Sequence, residues 1–298
     1  MWLEYMNVMK TLLFPTDFSK SATHAAEYGY QLAMQIQANV ILCNAITIPA
    51  EVPQAGVLVW PMEESDVLMH DSSIELTRLK KILIKMETDT GFKPVITCMD
   101  QAGLMTDVIN GIARNQKVDL VVMGTHGNGG LSTFLLGNHS RNMIDKTITP
   151  LLLIPPMAKY SPVKKIAFAT DFKQPENDLK SIFELIPFAR QLNAEILLTH
   201  IYNDEHLPHD FQAWLERFMV ELSNKADYPH IYYRMVKDKD LQSGLEWLSE
   251  HGDIGMLAMI HRSHNFFESI FRGSNTQKMA SHIPVPLMVL PAKKDSVS

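Results

Sequence analysis

The chain is poor in cysteine, in positive charge and in long apolar runs, and each shortage excludes a class of protein. Two cysteines in 298 residues, Cys43 and Cys98, make no disulfide framework and fit a reducing compartment. Lys and Arg number 27 against 33 Asp and Glu, a net charge of -6. A protein that neutralises nucleic-acid phosphates normally carries a basic surplus, so general nucleic-acid binding is disfavoured. Mean hydropathy is -0.05, and no uncharged apolar run approaches the ~18–20 residues of a membrane span. The opening MWLEYMNVMK has neither a basic n-region nor an apolar h-region, and does not read as a secretory signal. The expectation is an acidic cytoplasmic protein without a membrane segment.

Catalytic signatures are missing too. There is no GxxxxGK[ST], no GxSxG, no CxxC, no HExxH and no pair of carboxylates that the sequence places together. Hydrolysis of a phosphate ester would need a water-positioning group, and none is evident, so the expected enzymatic ceiling is a slow ATPase. His206 with His209, and His261 with His264, lack further clustered ligands, and read as solvated loop histidines rather than a metal site. Methionines such as Met34, Met86 and Met105 read as adaptable core.

What the sequence does contain is a repeat. KTLLFPTDF at 10–18 returns as KKIAFATDF at 164–172, VDLVVMGTHG at 118–127 as IGMLAMIHRS at 254–263, and PLLLIP at 150–155 as PLMVLP at 286–291. Three matches in one order indicate tandem duplication. The offset falls from 154 at Asp17/Asp171 to 136 at Pro155/Pro291, so the second copy is 18 residues shorter between them. The proline-bearing linker at 155–164 divides the chain into domains 1–157 and 163–298. Each copy alternates short apolar runs with helical periodicity. In the first, TLLFPTD and NVILCNAI read as strands around a helix capped by Ser19 or Ser21. A long helix near Ser65–Thr90 carries Leu76, Leu79, Ile82, Leu83 and Met86 on one face, and PVITCMD, DLVVMG and PLLLIP supply the remaining strands, with helices near Leu104–Asn115 and Ser140–Lys146. The fold class is α/β: two doubly wound five-stranded parallel sheets with right-handed crossovers.

Ligands of such sheets bind beyond the carboxyl ends of the strands, where strand order reverses. Asp17 ends the first strand. The fourth runs into a loop holding Gly124, Gly127, Gly129, Gly130 and Gly137, and Gly137-Asn138-His139-Ser140 opens a helix. Glycines let backbone amides converge on an anion, and a helix N-terminus adds partial positive charge. With G-x2-G-x9-G spacing at Gly124, Gly127 and Gly137, the PTDFS strand end and the closing strand followed by proline, the chain resembles a tandem universal stress protein, of the adenine-nucleotide-binding α/β superfamily (adenine-nucleotide alpha-hydrolase-like). That resemblance implies strand order 3-2-1-4-5 and ATP or AMP, with or without Mg²⁺, at the strand ends. It places Asp17 and Ala45 by the adenine, Met123 and Gly124 at the ribose, and Gly127, Gly137, Asn138 and His139 at the phosphates, with the Ser140 hydroxyl nearby.

Two departures stand against the family pattern. Asn138 occupies the position of a Ser or Thr. In the second copy Ile260 and Ser263 fall where Gly124 and Gly127 stand in the first, so that copy is expected to have lost ordinary ATP binding while retaining Asp171. The functional expectation is a stress-response module that senses adenine nucleotide in its first copy; the alternative is a nucleotide-independent interaction scaffold. The apolar closing strands are expected to pair with each other inside one chain, since exposed apolar edges demand covering. Homo-oligomerisation and the identity of any protein partner are left open. Val57–Val59 and Trp60 suggest a lid over the nucleotide, or else a surface loop.

Overall fold

In the computed structural model the described residues are 9–47, 62–87, 91–125, 138–202, 210–261 and 283–291. The first half contains β1 (Thr11–Pro15), α1 (Lys20–Ile36), β2 (Asn39–Ile46), α2 (Met62–Ile84), β3 (Ile96–Ala102), α3 (Met105–Asn115), β4 (Leu120–Gly124), α4 (Asn138–Lys146) and β5 (Leu151–Ile154). The second contains β6 (Lys165–Ala169), α5 (Pro175–Leu192), β7 (Glu195–Tyr202), α6 (Phe211–Ala226), β8 (Ile231–Lys237), α7 (Leu241–His251), β9 (Met256–His261) and β10 (Leu287–Pro291). The fold is α/β with a mostly parallel sheet. Within the first half the strands lie in the order β3-β2-β1-β4-β5, and within the second in the order β8-β7-β6-β9-β10.

Local chemistry explains these elements. Strands β1, β4 and β5 read as continuous apolar runs because helices cover both of their faces. Helix α1 opens at Ser19, whose hydroxyl accepts from Ala22 N at 3.2 Å, and closes on Gln37 in the left-handed region, whose N–H donates to Ala33 O. Its buried face is lined by small residues: Ala22, Ala25, Ala26, Gly29 and Ala33. That lets the helix lie close on the sheet; a Cβ on Gly29 would sit 2.8 Å from the Phe14 ring. One apolar cluster holds α1, α2, α5 and α6 to one sheet face, and a second holds α3, α4 and α7 to the other.

Strand β5 pairs with β10 in antiparallel register, so the ten strands among the described residues form one sheet, β3-β2-β1-β4-β5-β10-β9-β6-β7-β8. The facing pairs are Leu151 with Val289, Leu152 with Met288 and Leu153 with Leu287, and none is more than 1% exposed. Helices α1 and α5 add to the seam. Gln191 accepts from Met9 N at 2.7 Å and donates to Met9 O and Ile36 O, each at 3.0 Å. Tyr160 donates to Gln35 Oε1 at 2.6 Å and meets the Tyr28 ring edge-on. No helix among the described residues is long and apolar enough to cross a membrane.

The structure corrects two sequence expectations. Helix α2 runs from Met62 to Ile84, and Ile82 is 37% exposed while Leu76, Leu79 and Leu83 are buried. Successive helical residues turn by about 100°, which carries Ile82 off the stripe that its neighbour Leu83 occupies. His261 is no solvated loop residue: it ends β9, pairs with Pro291, and its side chain is only 16% exposed. His206, His209 and His264 lie outside the described residues, as do Val57–Val59 and Trp60. Met34, Met86 and Met105 pack, partly buried, against the two clusters.

Candidate functional site

The chain turns outward from β1 through β2 to β3, then returns across β1 to β4 and β5. The reversal therefore lies between β1 and β4, which pair in parallel with Leu12 and Leu13 opposite Leu120 and Val121. Both strands end at the same edge, at Pro15 and Gly124. Past Pro15, Thr16 is buried and its hydroxyl accepts from Phe18 N at 2.9 Å, which holds Phe18 at φ 61°. Asp17 is exposed, and its Oδ1 accepts from Ser19 N at 3.0 Å. This short-range bond fixes the carboxylate at the mouth of the crevice while α1 is capped by the next residue but one.

The end of β2 is tied to the same turn. Asn44 Nδ2 donates to Thr16 O at 2.6 Å and Ser72 donates to Asn44 Oδ1 at 3.2 Å. Ala45, half-buried, follows beside them. Met123 is buried one step before Gly124. Gly124 is flanked by α1 so closely that a Cβ on it would lie 2.5 Å from Ser21 Oγ and 2.9 Å from Ser21 O. Its backbone is not in the left-handed region, so space rather than conformational freedom requires glycine here. The Ser21 hydroxyl is buried beside it and has no hydrogen-bond partner among the described residues.

Helix α4 begins over this edge. The Ser140 hydroxyl is buried and reaches Gly124 O at 3.1 Å and Thr125 O at 3.2 Å, so it fastens the helix to the strand end. His139 is exposed in the first turn, and Asn138 is the first helical residue. Gly127 and Gly137 lie outside the described residues. The structure thus brings Asp17, Ala45, Met123, Gly124, His139 and Ser140 to one end of the sheet. Sequence reasoning missed Thr16, Ser21 and Asn44. A polar Asn inside an otherwise apolar strand, and the threonine shared by both TDF segments, were the signals that could have found the first and last of these.

The corresponding end of the second half is built differently. Thr170 accepts from Phe172 N at 3.0 Å and Asp171 from Lys173 N at 3.1 Å, repeating the first turn. Lys173 Nζ also lies 3.6 Å from Asp171 Oδ2, where the first half has Ser19. Ile260, buried, stands where the first half has Gly124, and the strand-to-helix turn is five residues (170–174) rather than four (16–19). Ile201 takes the place of Ala45 and fills the hollow over Gly244, where an added Cβ would meet it at 2.5 Å. The first half inverts these sizes, with Ala45 on the strand and Val108 on the helix. His200 replaces Asn44, and its Nδ1 donates to Thr170 O at 3.0 Å within a group formed by Phe172, Phe211 and Tyr202. Among the described residues no group of three or more His, Cys, Asp or Glu could hold a metal ion.

Burial holds the His200 imidazole below its ordinary value of 6.5, against smaller opposing effects of the Thr170 bond and Asp171. The folded state therefore binds the proton more weakly than the unfolded state. Stability from this group is present above pH 6.5 and declines as pH falls toward the lowered folded value. His200→Asn keeps a donor for Thr170 O, as Asn44 does for Thr16 O. Urea midpoints measured from pH 7.5 to 5 should fall less steeply for the variant than for the parent; parallel curves would contradict the assignment.

A universal stress protein family model matches residues 9–155. A universal stress protein of Methanocaldococcus jannaschii is 30% identical over 160 residues, 50% of this chain and 97% of that protein. A second from the same organism is 27% identical over 148 residues, 50% of this chain and 83% of that protein. Over the whole length, the crystal structure of a universal stress protein from Archaeoglobus fulgidus superposes with a TM-score of 0.68 at 15% identity, covering 96% of this chain and 99% of that one. That likeness extends the same architecture across both halves. Strand order and the matched relatives agree, and the chain belongs to the universal stress protein family.

Proposed function

We propose that the chain is a tandem duplication, with domains 1–157 and 163–298, whose first domain binds ATP or AMP and acts as a cytoplasmic stress-response sensor. The observation that carries this reading is the meeting of Asp17, Gly124 and the start of α4 at the β1/β4 reversal. Open parallel sheets take their ligands at such a point. Asp17 carries no ion pair among the described residues and can accept from an exocyclic amine, while the likeness to the family assigns Ala45 to the adenine. The first-turn amides of α4 have no partner within the helix and can donate to phosphate oxygens, and the macrodipole favours the negative charge. With a net charge of -6, phosphate affinity must come from such local donors. Gly127, Gly137 and Asn138 are assigned to the phosphates by the family motif, and Mg²⁺ would be held chiefly by those phosphates.

The second domain is read as not binding the nucleotide. Ile260 puts a branched side chain where the first half has Gly124, Ile201 replaces Ala45, and Lys173 sits on Asp171. Calorimetric titration of the intact chain with ATP and Mg²⁺ tests both statements. One site per chain is expected, weakened at least tenfold by Asp17→Ala, the scale of a lost charge-assisted hydrogen bond. Absence of heat at millimolar nucleotide with folded protein sinks the reading, and a stoichiometry of two sinks its second part.

A further inference from the structure

Because β5 and β10 pair antiparallel, the strand ends of the two halves point in opposite directions. Helix α4 runs between them. Its first turn lies over the end of β4, where Ser140 reaches Gly124 O and Thr125 O. Nine residues at 1.5 Å each make it about 13 Å long. At its far end Asp145 Oδ1 lies 3.4 Å from Nε2 of His261, the last residue of β9 and the one following Ile260. The helix is thus held at one end by its own strand, and at the other Asn110 of its own half donates to Lys146 O at 3.0 Å while the opposite half adds His261. Asp145 in the last turn faces the negative end of the helix dipole, an unfavourable place for a carboxylate. An imidazole nitrogen 3.4 Å from that carboxylate can donate to it and offset the repulsion, and the second half supplies it.

We infer that His261 is a positioning residue for the first-half phosphate site, acting through Asp145 and the body of α4. This rests on the nucleotide reading above. It gives the second half a part in binding although its own strand ends are filled: it fixes the tilt of the helix whose first-turn amides meet the phosphates. Loss of the contact loosens α4 at its C-terminal end, and the donors at its N-terminal end lose their fixed aim. The adenine side of the site, at Asp17 and Ala45, belongs to β1 and β2 and is untouched.

The test uses the intact chain and two ligands, ATP with Mg²⁺ and adenosine, titrated by calorimetry. His261→Ala and Asp145→Asn should each weaken ATP by roughly three- to fivefold, the scale of one partly exposed polar pair, and leave adenosine within twofold of the parent. The double variant should be no weaker than either single one, because both remove the same contact. His261→Gln, which retains a donor, should bind ATP more tightly than His261→Ala. Asp145 is 55% exposed, so Asp145→Asn carries the test even if His261→Ala is poorly folded. Unchanged ATP affinity in Asp145→Asn, or equal weakening of ATP and adenosine, overturns the inference and leaves the nucleotide reading standing. A parent protein that takes up neither ligand overturns both.

Discussion

Gly124→Val is expected to lower the free energy of unfolding by about 3 kcal/mol, the upper range for overpacking a tight contact, and to abolish ATP uptake. The reason is local. A Cβ at this position meets Ser21 Oγ at 2.5 Å and the Ser21 carbonyl oxygen at 2.9 Å. A flexible side chain could swing away, but the carbonyl belongs to the first turn of α1, and moving it means moving the helix. Displacing α1 disturbs Ser19 and, through it, Asp17. Stability and ligand binding should therefore fail together. Gly111→Ala is the matched control. An added Cβ there meets nothing within 4 Å, and the site is inside α3, so the substitution should stabilise by about 0.5–1 kcal/mol. Urea midpoints decide the matter: a Gly124→Val midpoint equal to that of the parent would show that α1 yields without cost.

The second large effect is expected at the seam. Leu152→Ala should cost about 2–5 kcal/mol, the range for emptying a fully buried leucine site, and lower the melting temperature by about 10 °C. Strand β5 has four residues, all buried, and stands between β4 and β10 in the middle of the ten-stranded sheet. Leu152 lies opposite Met288 and belongs to the apolar cluster that includes Ile154, Ile166 and Phe168 from both halves. A cavity there has little freedom to collapse, since the neighbouring backbones are fixed by ladders on either side. Val220→Ala, at a position 61% exposed, should change stability by less than about 0.5 kcal/mol. Scanning calorimetry should also show one transition shifted as a whole. A variant in which only one of two separate transitions moves would argue that the halves fold independently of their shared sheet.

Much of this architecture was legible in the order of residues. The segment NVILCNAI coincides with β2, and the alanine, leucine and isoleucine spacing of Ala22, Ala25, Ala26, Leu32, Ala33 and Ile36 coincides with α1. Periodicity reports which face of an element is apolar, and in a sheet covered by helices on both faces that fixes both element type and burial. The site was legible in part. Asp17 and Gly124 stand out because an acid and a glycine interrupt apolar runs at strand ends. Asn44, Thr16 and Ser21 did not, because their roles are bonds and contacts between segments distant in the chain. The same limit hid His261. As one of a pair of histidines in a polar stretch it resembled a surface residue, and only the ladder to Pro291 and the approach of α4 bury it.

The sequence by itself determined the shortages that exclude a disulfide scaffold, the strand and helix alternation, and the recurrence of the TDF turn and closing strand in both halves. These follow from composition and short-range pattern, which need no knowledge of distant neighbours. Tertiary structure decided what each departure from the repeat does. Ile201 over Gly244 and Ala45 with Val108 conserve volume by opposite choices, and Ile260 fills what Gly124 must leave to Ser21. It also decided that Asp145 and His261, 116 positions apart in the chain, meet across the seam. Complementary volumes and paired polar groups are properties of surfaces in contact, and those surfaces exist only once β5 and β10 have joined the sheet.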